Sequence, residues 1–139
     1  MSPSVSDHAR ELLARSLPLV QHHKDRIIAR MELHLRGAVA KQEAFGQSEM
    51  AAMLLVQLLI DQVRGLVETG QLTVGGGILD EHEALGIDGR HYSRFGDALV
   101  PILRDELGPS VPRDVVAAWC DTFWTVVRHL KPLPEAAPA

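Results

Sequence analysis

Residues 78–87 read Ile-Leu-Asp-Glu-His-Glu-Ala-Leu-Gly-Ile, and the single histidine of this stretch, His82, stands four positions before Gly86. A glycine directly after the last apolar position of a helical pattern commonly ends the helix. A new apolar periodicity opens at once with His91-Tyr92, and it predicts inward positions for Tyr92, Phe95, Leu99 and Leu103. The stretch therefore predicts a short helix that carries His82, a tight corner and a further helix.

The rest of the chain follows the same helical pattern. Apolar residues recur at three- and four-residue spacing from about Ser6, which can cap a first helix, to Leu130. Ser48 can cap a long helix that is apolar nearly all round from Ala51 to Ile60, as expected of a fully buried helix, and that fades by Gly70. No strand pattern or internal repeat competes. The sequence predicts an all-α fold of six to seven helices.

Length and composition favour a single soluble domain. The 139 residues fit one domain over residues 1–131, followed by a Pro/Ala-rich tail, 132–139, that we expect to be disordered. The net charge is −4 and the basic residues are scattered, so no nucleic-acid partner is expected. The single cysteine, Cys120, and the lack of a signal peptide pattern favour the cytoplasm. The longest apolar run, Met50–Ile60, is too short to span a bilayer, so no membrane association is expected.

Three motifs in the second half of the chain occur in combination: His-x-x-x-Gly-Ile at residues 82–87, His-Tyr at residues 91–92 and Ala-Trp at residues 118–119. Together they resemble the proximal half of bacterial globins, specifically the haem domain of flavohaemoglobins and the related single-domain bacterial haemoglobins. The resemblance runs without gaps from about residue 78 to residue 130, a little over a third of the chain. It implies a globin-like fold, a haem b cofactor and ligation of the haem iron by His82.

The resemblance also implies positions for residues around the cofactor on the side of His82. Leu85 and Ile87 are placed to form an apolar floor, and Arg90 to pair with the haem propionates. Trp119 falls among the residues around the cofactor, with packing in the core as the alternative. Without the resemblance, the acidic neighbours of His82 would favour a surface histidine.

Tyr92 is the second residue whose role the resemblance implies. In flavohaemoglobins a tyrosine here belongs to a hydrogen-bonded network with a glutamate of the last helix, and this network makes the proximal histidine more electron-donating. In this chain the place of that glutamate falls on Pro134, with Glu135 next to it. This departure argues against strong imidazolate character, and leaves Tyr92 as a core aromatic as the alternative. We expect the neighbouring His91 to cap its helix or to face solvent.

The opposite, distal side of the expected cofactor site departs further from the family. Phe45 has the spacing of the phenylalanine that globins pack against haem, and Met50 and Leu54 occupy the expected positions on the long helix. Relatives usually carry a tyrosine on the second helix and a glutamine on the long helix, and neither is present. On the second helix the candidates are Met31 and Glu32, and the cost of burying an unpaired carboxylate favours Met31 as the inward residue.

Three interpretations of the distal side stay open. The pocket is apolar and holds oxygen poorly, a methionine such as Met50 or Met53 reaches the iron, or the pocket is repurposed without haem. The remaining histidines His22, His23 and His34 have no metal-ligand spacing and are expected on the surface.

These observations lead to two main functional hypotheses. The first is a haem-binding single-domain globin, monomeric or homodimeric, that binds or senses oxygen, nitric oxide or carbon monoxide through iron held by His82. The reductase half of flavohaemoglobins has no counterpart in this sequence, so any nitric-oxide dioxygenase turnover would need an external reductase, and assignment as an enzyme stays open. The second is a haem-free globin-fold sensor that acts through helix–helix contacts. A helical bundle unrelated to globins is the third alternative.

Overall fold

The computed structural model describes residues 6–38, 47–72, 80–82, 84–87, 89–109 and 111–130. Five long helices lie in these ranges, together with a short helical segment that contains His82. The long helices are α1 (Asp7–His22), α2 (Lys24–Ala38), α3 (Gln47–Thr69), α4 (Gly89–Leu107) and α5 (Arg113–Leu130). The described residues contain no strand. The predicted all-α, globin-like fold is confirmed.

Helix α3 forms the centre of the molecule and contacts each of the other four long helices. Full burial was expected from Ala51 to Ile60, but Met53 is 48 % exposed, so this prediction is wrong in part. The helix ends at Thr69, directly before Gly70. It begins at Gln47, so Ser48 lies in the first turn and not at the cap. Its most deeply buried side chains, none of them more than 1 % exposed, are Ala51, Ala52, Leu55, Ile60, Val63 and Leu66.

The length of α3 corrects the estimate made from its apolar run. The segment Glu49–Thr69 has 21 residues and a mean hydropathy of 1.6, long and apolar enough to cross a membrane by length and composition alone. The apolar run ends at Ile60 because Asp61, Gln62 and Arg64 follow it, although the helix continues. Half of the apolar window is buried inside the protein. The core helix of a soluble protein passes the same test, so this property is weak evidence for a membrane.

The first and last helices pack against each other. Ser6 caps α1 as predicted, because its side chain accepts a hydrogen bond from the backbone N–H of Ala9 at 3.1 Å. Farther along α1, Ser16 accepts a hydrogen bond from the indole Nε1 of Trp119 at 2.7 Å. Trp119 is fully buried, so this bond satisfies the one polar group of its ring.

Helices α2 and α4 are joined by a buried carboxylate. The side chain of Glu106 is only 4 % exposed, and three cationic or ionisable groups surround it: Arg30, Arg26 at 3.6 Å and His23 at 3.3 Å. His23 was expected on the surface, but it is half-buried against this carboxylate, so that prediction is wrong. His22 and His34 are exposed as predicted.

Helices α4 and α5 approach closely at a glycine. A Cβ atom on Gly96 would lie 2.1 Å from the Trp124 ring, so only glycine fits this contact without movement of the indole. The ring centroids of Phe95 and Phe123 lie 4.6 Å apart in the same layer. The inward residues predicted for α4, namely Tyr92, Phe95, Leu99 and Leu103, are all buried.

Candidate functional site

The backbone around His82 forms a tight corner, here called the His82 corner and defined as residues 80–82 and 84–87. Gly86 has a φ of 82°, in the left-handed region that glycine tolerates best. This conformation turns the chain back, so the carbonyl of His82 accepts hydrogen bonds from the N–H groups of Leu85 at 3.0 Å and Ile87 at 2.9 Å. Ile87 is fully buried. The His-x-x-x-Gly-Ile motif therefore fixes the position of His82 by backbone bonds and one apolar anchor.

The side chain of His82 is buried against the start of α4. It is 3 % exposed, and Nδ1 lies 2.9 Å from the hydroxyl oxygen of Tyr92, whose side chain is 2 % exposed. The two ring centroids are 6.0 Å apart, with 42° between the ring planes. His82 is therefore not the surface histidine that its acidic neighbours alone would predict.

Burial determines the charge state of His82. Desolvation lowers the pKa of the imidazole below its ordinary value of 6.5, and the nearby carboxylate of Glu81 offsets only part of this effect. The ring is therefore neutral at pH 7, the form in which histidine binds a metal. A neutral imidazole that donates its Nδ1 proton to the Tyr92 hydroxyl presents the lone pair of Nε2 outward. Within the described part of the chain, Nδ1 is the ring atom of His82 that makes a hydrogen bond.

The donor set around His82 suits a prosthetic group better than a metal ion held by side chains alone. The described residues contain no group of three or more histidine, cysteine, aspartate or glutamate side chains that could hold a metal ion. Haem supplies four of the iron ligands itself and needs one neutral imidazole from the protein. His82 meets that requirement, and its Nδ1 partner is the kind of support that metal-bound histidines commonly have.

The structure brings three of the predicted proximal residues together: His82, Tyr92 and Ile87. Leu85, expected in the apolar floor, is 40 % exposed. Arg90 is exposed and makes an interaction of its own. Trp119 is buried against α1. Contact of these last three residues with a cofactor stays a prediction.

His91 was expected to cap α4 or to face solvent, and the structure contradicts the solvent-facing alternative. The side chain is 2 % exposed. His91 stands one helical turn before Phe95, so the two residues share the buried face of α4. The spacing of Phe95 and Leu99, extended back by one turn, predicts a buried residue at position 91. The signal is missed because histidine is not an apolar residue.

On the distal side, the structure confirms Met31 as the inward residue of α2. Met31 is fully buried, whereas the side chain of Glu32 is 17 % exposed and pairs with Arg36, with 2.7 Å between Oε2 and Nη2. This pair supplies the counter-charge that a half-buried carboxylate needs. Phe45 lies outside the described residues.

The residues expected on the distal part of α3 share one incompletely buried side of the helix. Met50 is 39 % exposed, Met53 is 48 % exposed and Leu54 is half-buried, and their spacing of three and four residues places them on one face. Gln57 continues this face by one turn, but its oxygen accepts from Lys24 and its nitrogen donates to Asp61 at 2.8 Å. The face therefore offers apolar side chains and an amide that is already engaged.

Comparison with known proteins gives a distant relative in addition to this geometry. The sequence is 25 % identical over 136 residues to a flavohemoprotein of Xylella fastidiosa, in both strain Temecula1 and strain 9a5c. The alignment covers 94 % of this chain and 34 % of the relative, so the chain spans about a third of the length of these proteins. No family model matches the sequence.

Proposed function

We propose that this chain is a haem-binding globin domain in which Nε2 of His82 ligates the haem iron, and that it binds or senses a diatomic gas. The observation that carries the proposal is the buried His82–Tyr92 pair, in which a neutral imidazole has Nδ1 satisfied at 2.9 Å and Nε2 left for a ligand. The similarity to a flavohemoprotein supports a globin-like, haem-binding role from independent evidence.

Three residues of the His82 corner, together with Tyr92, support His82 in this proposal. Haem would supply an iron atom that binds oxygen, nitric oxide or carbon monoxide reversibly. In the tautomer that binds iron through Nε2, the Nδ1–H of His82 donates a hydrogen bond to the Tyr92 hydroxyl, which fixes the ring orientation and increases the basicity of Nε2. Gly86 and Ile87 hold the backbone from which the imidazole extends. The exposed Leu85 provides apolar surface that a haem face would cover.

The apolar side of α3 suits gas binding more than catalysis by this chain alone. Met50 and Leu54 carry no hydrogen-bond donor for bound oxygen, whereas carbon monoxide, which carries less negative charge, depends little on one. Turnover of nitric oxide would require electrons from an external reductase of the cytoplasm, and this partner is part of the proposal.

The test is reconstitution of the purified protein with haemin, followed by absorption spectroscopy. Wild type is expected to show an intense Soret band, and His82→Ala is expected to lose or shift that band with unchanged helical content in far-ultraviolet circular dichroism. His34→Ala, which removes an exposed histidine of α2, is the matched control and should retain the wild-type spectrum. Tyr92→Phe keeps the ring but removes the hydroxyl. It should lower the frequency of the iron–histidine stretching band in resonance Raman spectra, because Nε2 becomes less basic.

A wild-type protein that stays colourless with haemin would contradict the proposal. The second candidate, a haem-free sensor that acts through helix–helix contacts, would then be favoured by the partly exposed apolar face of Met50, Met53 and Leu54. A Soret band that is identical in wild type and His82→Ala would contradict His82 as the ligand while leaving haem binding intact.

A further inference from the structure

A second concave site lies at the junction of α4 and α5. The last turn of α4, residues 108, 109 and 111 and the first turn of α5 line a cleft of about 420 Å³. This volume is within the range of about 300–1,000 Å³ that is common for small-molecule sites. Gly108 lines the cleft, and a Cβ atom built on it meets no atom within 4 Å, which shows independently that the space beside it is open.

Two guanidinium groups line this cleft, and neither is paired with a carboxylate of the described residues. Neither Arg104 nor Arg113 makes an ion pair or a side-chain hydrogen bond within the described part of the chain. The arginines of α2 differ, since Arg26 and Arg30 both pair with Glu106. The carboxylate that also lines the cleft, Asp105, lies 3.5 Å from Arg30, on the side of α2.

The remaining wall of the cleft is apolar. Val116 is buried, Val111 is half-buried, and Pro109 adds a third apolar side chain. An apolar wall with a few polar groups is the usual composition of a small-molecule site. A guanidinium group binds a carboxylate through two parallel N–H···O bonds, and two such groups in one cleft favour an anion.

We propose that the cleft between α4 and α5 binds a small organic carboxylate whose apolar body packs against Val111 and Val116 and whose carboxylate pairs with Arg104 and Arg113. An inorganic anion would match the arginines but leave the valine wall exposed. A neutral apolar molecule would match the wall but leave two guanidinium groups unpaired. The site requires no haem and is independent of the function proposed for His82.

The test is an NMR titration of the full chain with benzoate as the probe. Benzamide is the neutral control of the same shape, and inorganic phosphate is the anion without an apolar body. Benzoate is expected to shift the amide signals of Gly108, Val111 and Val116 in a saturable manner. Benzamide and phosphate are each expected to bind about tenfold more weakly or worse, because each makes only part of the contacts.

Substitutions of the two arginines assign the binding to this cleft. Arg104→Gln and Arg113→Gln are each expected to weaken benzoate binding about five- to tenfold. Arg15→Gln, which changes an arginine of α1 that pairs with Glu11, should leave binding within about twofold of wild type. Circular dichroism of each variant checks that the fold is intact.

Four results would overturn the proposal, three from the ligands and one from the arginine variants. The first three are the absence of saturable shifts up to about 20 mM benzoate, equal binding of benzamide, and equal binding of phosphate. Wild-type affinity in both arginine variants would also overturn it.

Discussion

The two sides of the candidate haem site are built in different ways. At the His82 corner, the functional ring is fixed by contacts close in sequence: the Gly86 turn, the two backbone bonds to the His82 carbonyl and the Tyr92 hydroxyl ten residues away. On the α3 face, the positions of Met50 and Leu54 depend on how α3 packs against the other helices. Their apolar side chains make no hydrogen bond that would fix them. The His82 corner therefore places one particular side chain. On the α3 face, helix register determines which apolar residue faces the site.

The two sides differ in how accurately their side chains must be positioned. A ligand to iron must be placed to within a fraction of an ångström, so it benefits from a rigid turn and a hydrogen-bonded ring. An apolar wall tolerates shifts of register because dispersion contacts are not directional. Substitutions at the His82 corner should therefore act on cofactor binding, whereas substitutions on the α3 face should act on the choice of gas.

The largest effect is expected for Gly86→Ala. An alanine at a φ of 82° should cost about 1–2 kcal/mol of folding free energy. It should also weaken haemin affinity, because the turn positions His82. Gly108→Ala is the matched control, since Gly108 has a φ of 87° and its added Cβ meets no neighbour. Urea denaturation should give similar losses of stability for both variants, and haemin titration should separate them. Equal haemin affinities would mean that the turn does not position the ligand.

A smaller effect is expected when a hydrogen-bond donor is added to the α3 face. In the haem-bound protein, Leu54→Gln or Met50→Gln should slow oxygen dissociation by about fivefold, since one hydrogen bond to bound oxygen contributes about 1 kcal/mol. Met53→Gln tests the third residue of this face, which is more exposed than Met50. Stopped-flow measurement would show which of these residues faces the gas. If none of the three changes the rate, the gas site lies against another part of the protein.

The smallest effect is expected for the pH dependence of stability without haem. Burial lowers the folded-state pKa of His82 below 6.5, so the unfolded chain binds more protons as the pH falls through that value. The contribution of neutral His82 to stability is therefore complete above about pH 6.5 and decreases at lower pH. Between pH 7 and pH 5, His82→Gln should lose less stability than wild type in urea titrations, and His34→Gln should match wild type. A slope unchanged by His82→Gln would show that the imidazole is not desolvated in solution.

The same contrast explains how much could be predicted from the sequence. The helices, the inward face of α4 and the burial of Met31 follow from local periodicity and from the cost of burying a charge, and all are confirmed. His91 was misplaced because a polar residue on an apolar face gives no periodic signal. The pairing of His23 with Glu106 joins residues 83 positions apart, and no local pattern encodes it.

The candidate site divides in the same manner. The tight turn at Gly86 could be predicted because the motif that encodes it spans six residues. The register of α3 could not, because it depends on tertiary packing, mainly against α2 and α1, which local periodicity does not encode. The partial exposure of Met50 and Leu54 follows from that packing, and only the structure shows it.

The hydrogen bond from Trp119 to Ser16 sets an order of events during synthesis of the protein. Its two residues are 103 positions apart, so the first helix leaves the ribosome long before its partner exists. Until then, the apolar face of α1 is incompletely covered and is a target for chaperones or for neighbouring chains. Closure of this part of the core must therefore wait until α5 has been synthesised.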